Sequence, residues 1–264
     1  MIRAAFFDID GTLIPMTTRK MPESTLSTLH ALKEKGVRLY IASGRPPVHL
    51  TLLDKALTSF PWDGYIMMNG QYCFDADGNV FRKEALKQET LEVLVPWLKE
   101  YADFPCTIFE LDRSYDIAFN ESMHNYLSSI NRLDQMPPVL DPVRALSHET
   151  YMMSPYIPAE RDAEFLSHAP GMMSARWSPH FADMIREHGG KPEGIKAALA
   201  MHGLNREEAI AFGDGGNDIA MLAYAGTGVA MGNASDEVKA HADYVTDDCE
   251  NDGIYSAFKH FGLI

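Results

Sequence analysis

The stretch RAAFFDIDGT, residues 3–12, decides how the rest of the chain is read. Ala4, Ala5, Phe6 and Phe7 are apolar without alternation, which predicts a short strand covered on both faces. Two acids, Asp8 and Asp10, follow at once, and then the turn residues Gly11 and Thr12. The acids therefore fall at the C-terminal end of a buried strand. In an open α/β sheet that edge is where ligands bind.

Working outward, residues 22–35 read as a helix, with Pro22 in its first turn, Leu26, Leu29 and Leu32 on one face, and Gly36 as its stop. The run VRLYIA (37–42) is a second buried strand and ends in Ser43-Gly44-Arg45-Pro46. A helix is expected over 47–58 and a third strand over GYIMMNG (64–70); Asp77-Gly78, between alternating apolar residues, then marks a hairpin. The pattern returns late in the chain: a helix over 192–202, a strand at AIAFG (209–213), a helix over 217–224, short strands at 228–232 and 242–246, and a last helix over 252–262. Strands alternating with helices at this spacing imply a parallel sheet with helices packed on it.

Residues 83–183 differ in texture, with nine prolines, less regular alternation and the methionines Met123, Met136, Met152, Met153, Met172 and Met173. They read as a second domain inserted into the first, leaving 1–82 and 184–264 as an α/β core. The methionines are expected to fill its interior rather than line an adaptable surface.

The chain has 264 residues, a formal charge of −14, 46% apolar and 23% charged residues, which is globular composition with ample material for a core. The acidic balance argues against nucleic-acid backbones as partners, which call for clustered Lys and Arg. Cys73, Cys106 and Cys249 form no framework and read as small core residues. The N-terminus lacks a signal-peptide pattern, and the charge-free run Ile219–Ser235 is interrupted by Gly226, Gly228 and Gly232. The expectation is a cytoplasmic protein that neither spans nor needs a membrane.

Four loops carry chemistry. Asp8 and Asp10 would repel unless a cation lies between them or one holds a proton, so Mg²⁺ binding and general-acid behaviour both suit them. An EF-hand is excluded, because its sixth and twelfth positions would be Leu13 and Arg19. Gly213-Asp214-Gly215-Gly216-Asn217-Asp218 follows another buried strand and supplies two further carboxylates, which predicts a shared divalent-metal site. Ser43-Gly44-Arg45 offers a hydroxyl and free N–H groups to an anion, although Ser-Gly is also a common turn. In Gly189-Gly190-Lys191-Pro192 the lysine starts a helix, an awkward place for a cation unless an anion is bound in front of it. No GxSxG elbow, no His pair at helical spacing and no GxGxxG is present.

Taken in order, Asp8-Ile9-Asp10-Gly11-Thr12, Ser43-Gly44-Arg45-Pro46, Lys191 and Gly213–Asp218 resemble the four motifs of the haloacid dehalogenase superfamily of phosphatases. The insert between the second and third motifs, and the tail Asn251-Asp252-Gly253, are similar to the Cof-type sugar-phosphatase branch. One departure is Pro192 after Lys191, where that branch often has Gly. The resemblance implies a doubly wound Rossmann-like core with an α+β cap that sets substrate specificity. It implies that Asp8 is a nucleophile forming an aspartyl-phosphate and Asp10 the general acid, then base. It further implies Mg²⁺ held by Asp8, the Asp10 carbonyl and Asp214, with Asp218 near the metal or orienting Lys191. Ser43, Lys191, Asn217 and the N–H groups of Ile9 and Gly44 would hold the phosphoryl oxygens. The expected activity is hydrolysis of small phosphorylated metabolites, sugar phosphates first, then nucleotides, flavin mononucleotide or pyridoxal phosphate. A phosphomutase and a non-catalytic phospho-ligand-binding protein are the alternatives, and the chain would be a monomer or homodimer. In the cap, Tyr151, Tyr156, Arg176 and Trp177 could meet a substrate, but each is expected to serve structure first.

Overall fold

The run after Arg3 forms β1 (Ala4–Phe7), and all four of its residues are buried. In the computed structural model, residues 1–100, 104–129 and 136–264 are described. From β1 the chain passes through α1 (Glu23–Glu34), β2 (Arg38–Ala42), a short α2 (Lys55–Thr58), β3 (Gly64–Met67) and the hairpin of β4 (Tyr72–Asp75) and β5 (Val80–Lys83). It then builds α3 (Gln88–Glu100), β6 (Cys106–Phe109), β7 (Ser114–Asp116), α4 (Glu121–Ser129), β8 (Met152–Pro155), α5 (Asp162–Ser167), β9 (Met172–Arg176) and β10 (Ala182–Arg186). The first body is completed by α6 (Lys191–Met201), β11 (Ala209–Gly213), α7 (Ile219–Tyr224), β12 (Thr227–Ala230), α8 (Asp236–Lys239), β13 (Tyr244–Val245) and α9 (Gly253–His260).

Two units result: residues 1–45, 49–83 and 190–264 form one, and 84–189 with 46–48 form the other. The first holds, among the described residues, an eight-stranded sheet in the order β13-β12-β11-β1-β2-β3-β4-β5. The six strands from β13 to β3 are parallel, and β4 and β5 turn back antiparallel. Strand alternation divides the core between the two faces. Ala5, Phe7, Leu39, Ile41, Ile210 and Phe212 meet Leu29 and Leu32 of α1 and Ile254 and Phe258 of α9. Ala4, Phe6, Tyr40, Ala42, Ala209 and Ala211 meet Ile195 and Leu199 of α6 and Met221 and Leu222 of α7. With β1 at the centre, β2 to one side and β11 to the other, the strand order reverses at β1. The loops leaving these three strands gather at that switch point.

The second unit is an antiparallel sheet, β7-β6-β8-β10-β9, with helices packed against it. Cys106, Ile108, Tyr115, Met153 and Met184 join Leu91, Leu94 and Leu98 of α3 and Phe165 of α5 in its core. Alternate residues form a polar row across the strands, in which Thr107 donates to Asp116 (2.6 Å) and Ser154 to Asp183 (2.6 Å). Met123, Met152, Met153 and Met172 are buried, which is core filling, whereas Met173 is exposed. All three cysteines are buried and free.

Several boundaries differ from the sequence reading. β10 pairs with β8 and β9, so the chain returns to the first unit at Gly190 rather than at 184. The helix expected over 47–58 is a 3₁₀ segment, Pro47–Leu52, followed by the single turn of α2. No residue of Pro47–Leu52 is buried, so no packed face draws that segment into a longer α-helix. The strand expected over 64–70 ends at Met67, because Met68, Asn69 and Gly70 all turn to positive φ. The helix expected from 217 begins at Ile219, after a 3₁₀ turn over Gly216–Asp218. No helix among the described residues is long and apolar enough to cross a membrane.

Candidate active site

The site lies within the first unit, on the loops after β1, β2, β3 and β11 and at the start of α6. Asp8 follows β1 directly, and its N–H donates to Phe212 O (3.0 Å), which continues the β1–β11 pairing to the last residue before the acid-rich loop. Gly11 has φ +85, and a Cβ there would lie 2.1 Å from Asp214 Oδ2. Only glycine lets the turn after β1 lie this close to Asp214. Thr12 donates from Oγ1 to Asp214 Oδ1 (2.8 Å), and Asn233 donates to Gly11 O (2.9 Å). The Ile9 carbonyl closes the same turn by accepting from Thr12 and Ile14.

Lys191 is the centre of the charge arrangement. Its Nζ donates to Asp8 Oδ1 and Asp218 Oδ1, each at 2.6 Å, and its side chain is wholly buried. Within the chain, the carboxylates of Asp8 and Asp218 answer the charge of this lysine at the helix start. Burial works against the Lys191 charge, but Asp218 and Asp8 outweigh it, so its pKa is raised. The second Asp218 oxygen accepts the N–H groups of Asp214 (3.0 Å) and Gly215 (2.9 Å). Both oxygens of Asp218 are therefore committed, and it braces the β11 loop and Lys191.

Carboxylate oxygens of Asp8, Asp214 and Asp218 lie within 4.8 Å of one another. Burial pushes the Asp8 pKa up to about 7 against the pull of Lys191, with Asp218 and Asp10 adding to the rise. Asp214 is pushed up to about 8, by burial first and then by Asp8 and Asp218. When these acids are ionised, the lysine thus offsets only part of their negative charge. Oδ2 of Asp8 and Oδ2 of Asp214 accept no hydrogen bond among the described residues. An all-oxygen set with surplus negative charge fits a hard divalent cation such as Mg²⁺.

The Asp10 carboxylate goes elsewhere. Arg45 grips it with two hydrogen bonds, Nε to Oδ2 (2.6 Å) and an Nη to Oδ1 (2.7 Å). Burial opposes the Arg45 charge, but these bonds outweigh it and hold its pKa above the ordinary value. Ser43 is buried, and its Oγ accepts the Arg45 N–H (3.2 Å) across the half-buried Gly44. Asn217 is part-buried, and its Nδ2 donates to Asn69 Oδ1 (2.9 Å).

Sequence reasoning named Asp8, Asp10, Ser43, Lys191, Asp214, Asn217 and Asp218 but gave no role to Arg45, Asn69 or Asn233. An Asn-Gly pair is a turn signal, so Asn69-Gly70 could have been separated from the strand before it. Nothing local marks Arg45 as the partner of Asp10. In the second unit, Tyr151 is fully buried with its hydroxyl on Glu149 (3.2 Å). Arg176 bonds Asp162 and the carbonyls of Ile157, Ser178 and Phe181, which makes it a structural clamp. Tyr156 is part-buried among aromatic rings, and Trp177 is 42% exposed with its Nε1 donating to Asp183 (3.1 Å).

Residues 5–258 match the family model described as haloacid dehalogenase-like hydrolase. The candidate phosphatase YkrA of Bacillus subtilis is 32% identical over 98% of this chain and 97% of its own length. Among solved structures, the subclass IIB sugar phosphatase BT4131 is 38% identical, with a TM-score of 0.88 over 99% of this chain and 100% of its own. BT1666 of Bacteroides thetaiotaomicron, described among phosphatases of the same superfamily, is 32% identical, with a TM-score of 0.91 over 100% of this chain and 96% of its own.

Proposed function

The chain belongs to the haloacid dehalogenase-like hydrolases, and from that premise we propose that it is a Mg²⁺-dependent phosphatase of small phosphorylated metabolites, sugar phosphates foremost. The observation that carries this is Asp8 at the switch point, with one oxygen held by buried Lys191 and the other uncommitted beside Asp214. The sugar-phosphatase relative BT4131 supports the substrate class.

In this reading Asp8 attacks phosphorus and forms an aspartyl-phosphate, the covalent route open to a carboxylate. Asp8 and Asp214, with the Asp10 carbonyl, would hold a Mg²⁺ ion, which would supply neutralisation of the phosphoryl charge. Lys191 answers part of the same charge from its buried position, and Ser43, Asn217 and the N–H groups of Ile9 and Gly44 hold the phosphoryl oxygens. Asp10 gives a proton to the departing alcohol and later takes one from the attacking water. Arg45 holds the Asp10 carboxylate by two hydrogen bonds, to one side of the Asp8–Asp214–Asp218 group. The inserted unit selects the substrate.

Purified protein with p-nitrophenyl phosphate and Mg²⁺ should release phosphate, and Asp8→Asn should stop it. Unchanged turnover in that variant would remove Asp8 from the reaction. Mass spectrometry of the products from a hexose phosphate should show free sugar; a shifted phosphate would mean a mutase.

A further inference from the structure

The turn Met68–Gly70 takes no part in the four motifs, yet it touches three of the loops that carry them. Met68 N–H donates to Arg45 O (3.0 Å), and Asn69 N–H donates to Ser43 O (3.0 Å). Gly70, at φ +86, lies so close to the start of α6 that a Cβ there would come 2.3 Å from Gly190 O and 3.4 Å from the Lys191 Cα. The Asn69 side chain, 1% exposed, accepts from Asn217 Nδ2 (2.9 Å). The backbone reaches these contacts at φ 51 for Met68 and φ 52 for Asn69, two consecutive non-glycine residues in the left-handed region. Such strain persists only where the surroundings over-determine it, and it clusters at functional sites.

We propose that Asn69 is a positioning residue that aligns Asn217 and Ser43 on the phosphoryl group. The inference rests on the phosphatase reading above. An asparagine amide turns broadly about its last torsion, so a part-buried Asn217 alone has no fixed donor direction. Committing one N–H to Asn69 Oδ1 fixes the amide plane and leaves the second N–H pointing in one direction. The Asn69 N–H holds the carbonyl of Ser43 at the same time, so a single residue sets the relative placement of two phosphoryl-holding side chains from different loops. Asparagine suits the post because it tolerates the left-handed backbone better than other non-glycine residues and carries an acceptor.

Asn69→Gly separates the two roles, since glycine accepts the same backbone but has no acceptor. With p-nitrophenyl phosphate and Mg²⁺, the variant should lose about tenfold in kcat/KM, within the range that misplacing a group in a site produces. Inhibition by inorganic phosphate should weaken alongside, while the unfolding midpoint falls by no more than the loss of one buried hydrogen bond explains and the protein stays folded at the assay temperature. In an Asn217→Ala background the same change should cost less than about twofold, because a residue acting through Asn217 has nothing left to align. Wild-type kinetics in Asn69→Gly, or losses that multiply with Asn217→Ala, would overturn the proposal. A collapse of the unfolding midpoint large enough to explain the lost activity would overturn it too, since Asn69 would then serve the fold. An unmutated protein that releases no phosphate would refute the phosphatase reading and this inference with it, an outcome distinct from an active enzyme indifferent to Asn69→Gly.

Discussion

Replacing Lys191 by methionine tests the charge arrangement most directly. Methionine keeps the length and apolar volume of the stem and removes the ammonium. In the unmutated protein the lysine side chain is 0% exposed, and its partners Asp8 and Asp218 are 12% and 1% exposed. Removing one member of a buried ion pair costs about 3–5 kcal/mol, because the remaining charge is stranded. For a body of about 150–250 residues each kcal/mol shifts the thermal midpoint by about 2–4 °C, so the expected fall is about 6–20 °C. The pH dependence has a definite sign. Lys191 has a raised folded pKa, so its own contribution is fully present below its unfolded value and stays constant from acid to mildly alkaline conditions. The pKa of Asp8, already raised to about 7 by burial despite the lysine, should rise further without it. In the unmutated protein the stability lost to Asp8 levels off above about 7, where the folded carboxyl also ionises, whereas the variant goes on losing stability up to its own higher value; at about pH 5 Asp8 is protonated in both folded proteins. The deficit should therefore be largest near pH 8, about one unit above that value, and smaller near pH 5. Unfolding followed by circular dichroism at the two pH values, without divalent cations, reads the difference. Equal midpoints at the higher pH, or a larger deficit at the lower one, would refute the reasoning.

Three further outcomes are expected. Asp8 and Asp214, with pKa values of about 7 and about 8 in the ion-free protein, hold protons that Mg²⁺ must displace. Calorimetric titration near neutral pH, in buffers of different ionisation heat, should show proton release on the order of one per Mg²⁺, and apparent affinity should rise with pH until both acids are ionised; binding with no proton exchange would count against the shared site. Gly11→Ala places a Cβ 2.1 Å from Asp214 Oδ2 at φ +85, so it should cost at least about 1–2 kcal/mol in the left-handed backbone and weaken Mg²⁺ binding measurably. Arg176→Met removes the clamp on Asp162 and three carbonyls; it should destabilise the inserted unit by on the order of 3 kcal/mol in urea unfolding, and an unchanged midpoint would return Arg176 to the surface.

Much of this protein is legible without coordinates because the deciding signals are local. An unbroken apolar run such as Ala4–Phe7 must be covered on both faces, and an acid placed straight after it must emerge at the edge of the sheet. That logic placed Asp8 and Asp214 at the edge of the sheet, and Lys191 drew attention as a cation at a helix start; the order of the strands came only from the tertiary structure. That logic failed where no local period exists. Pro47–Leu52 buries nothing, so its helical look had no packing to enforce it, and the Met68–Gly70 turn was absorbed into the strand it ends. Partner choice lay wholly beyond the sequence. Arg45 meets Asp10 across 35 positions, Asn217 meets Asn69 across 148, and Lys191 meets Asp8 across 183. Residue type announces that a charge or an amide needs a partner; only the convergence of loops at the β1 switch point decides which one it finds, because hydrogen bonds and ion pairs form between neighbours in space, whatever their separation along the chain.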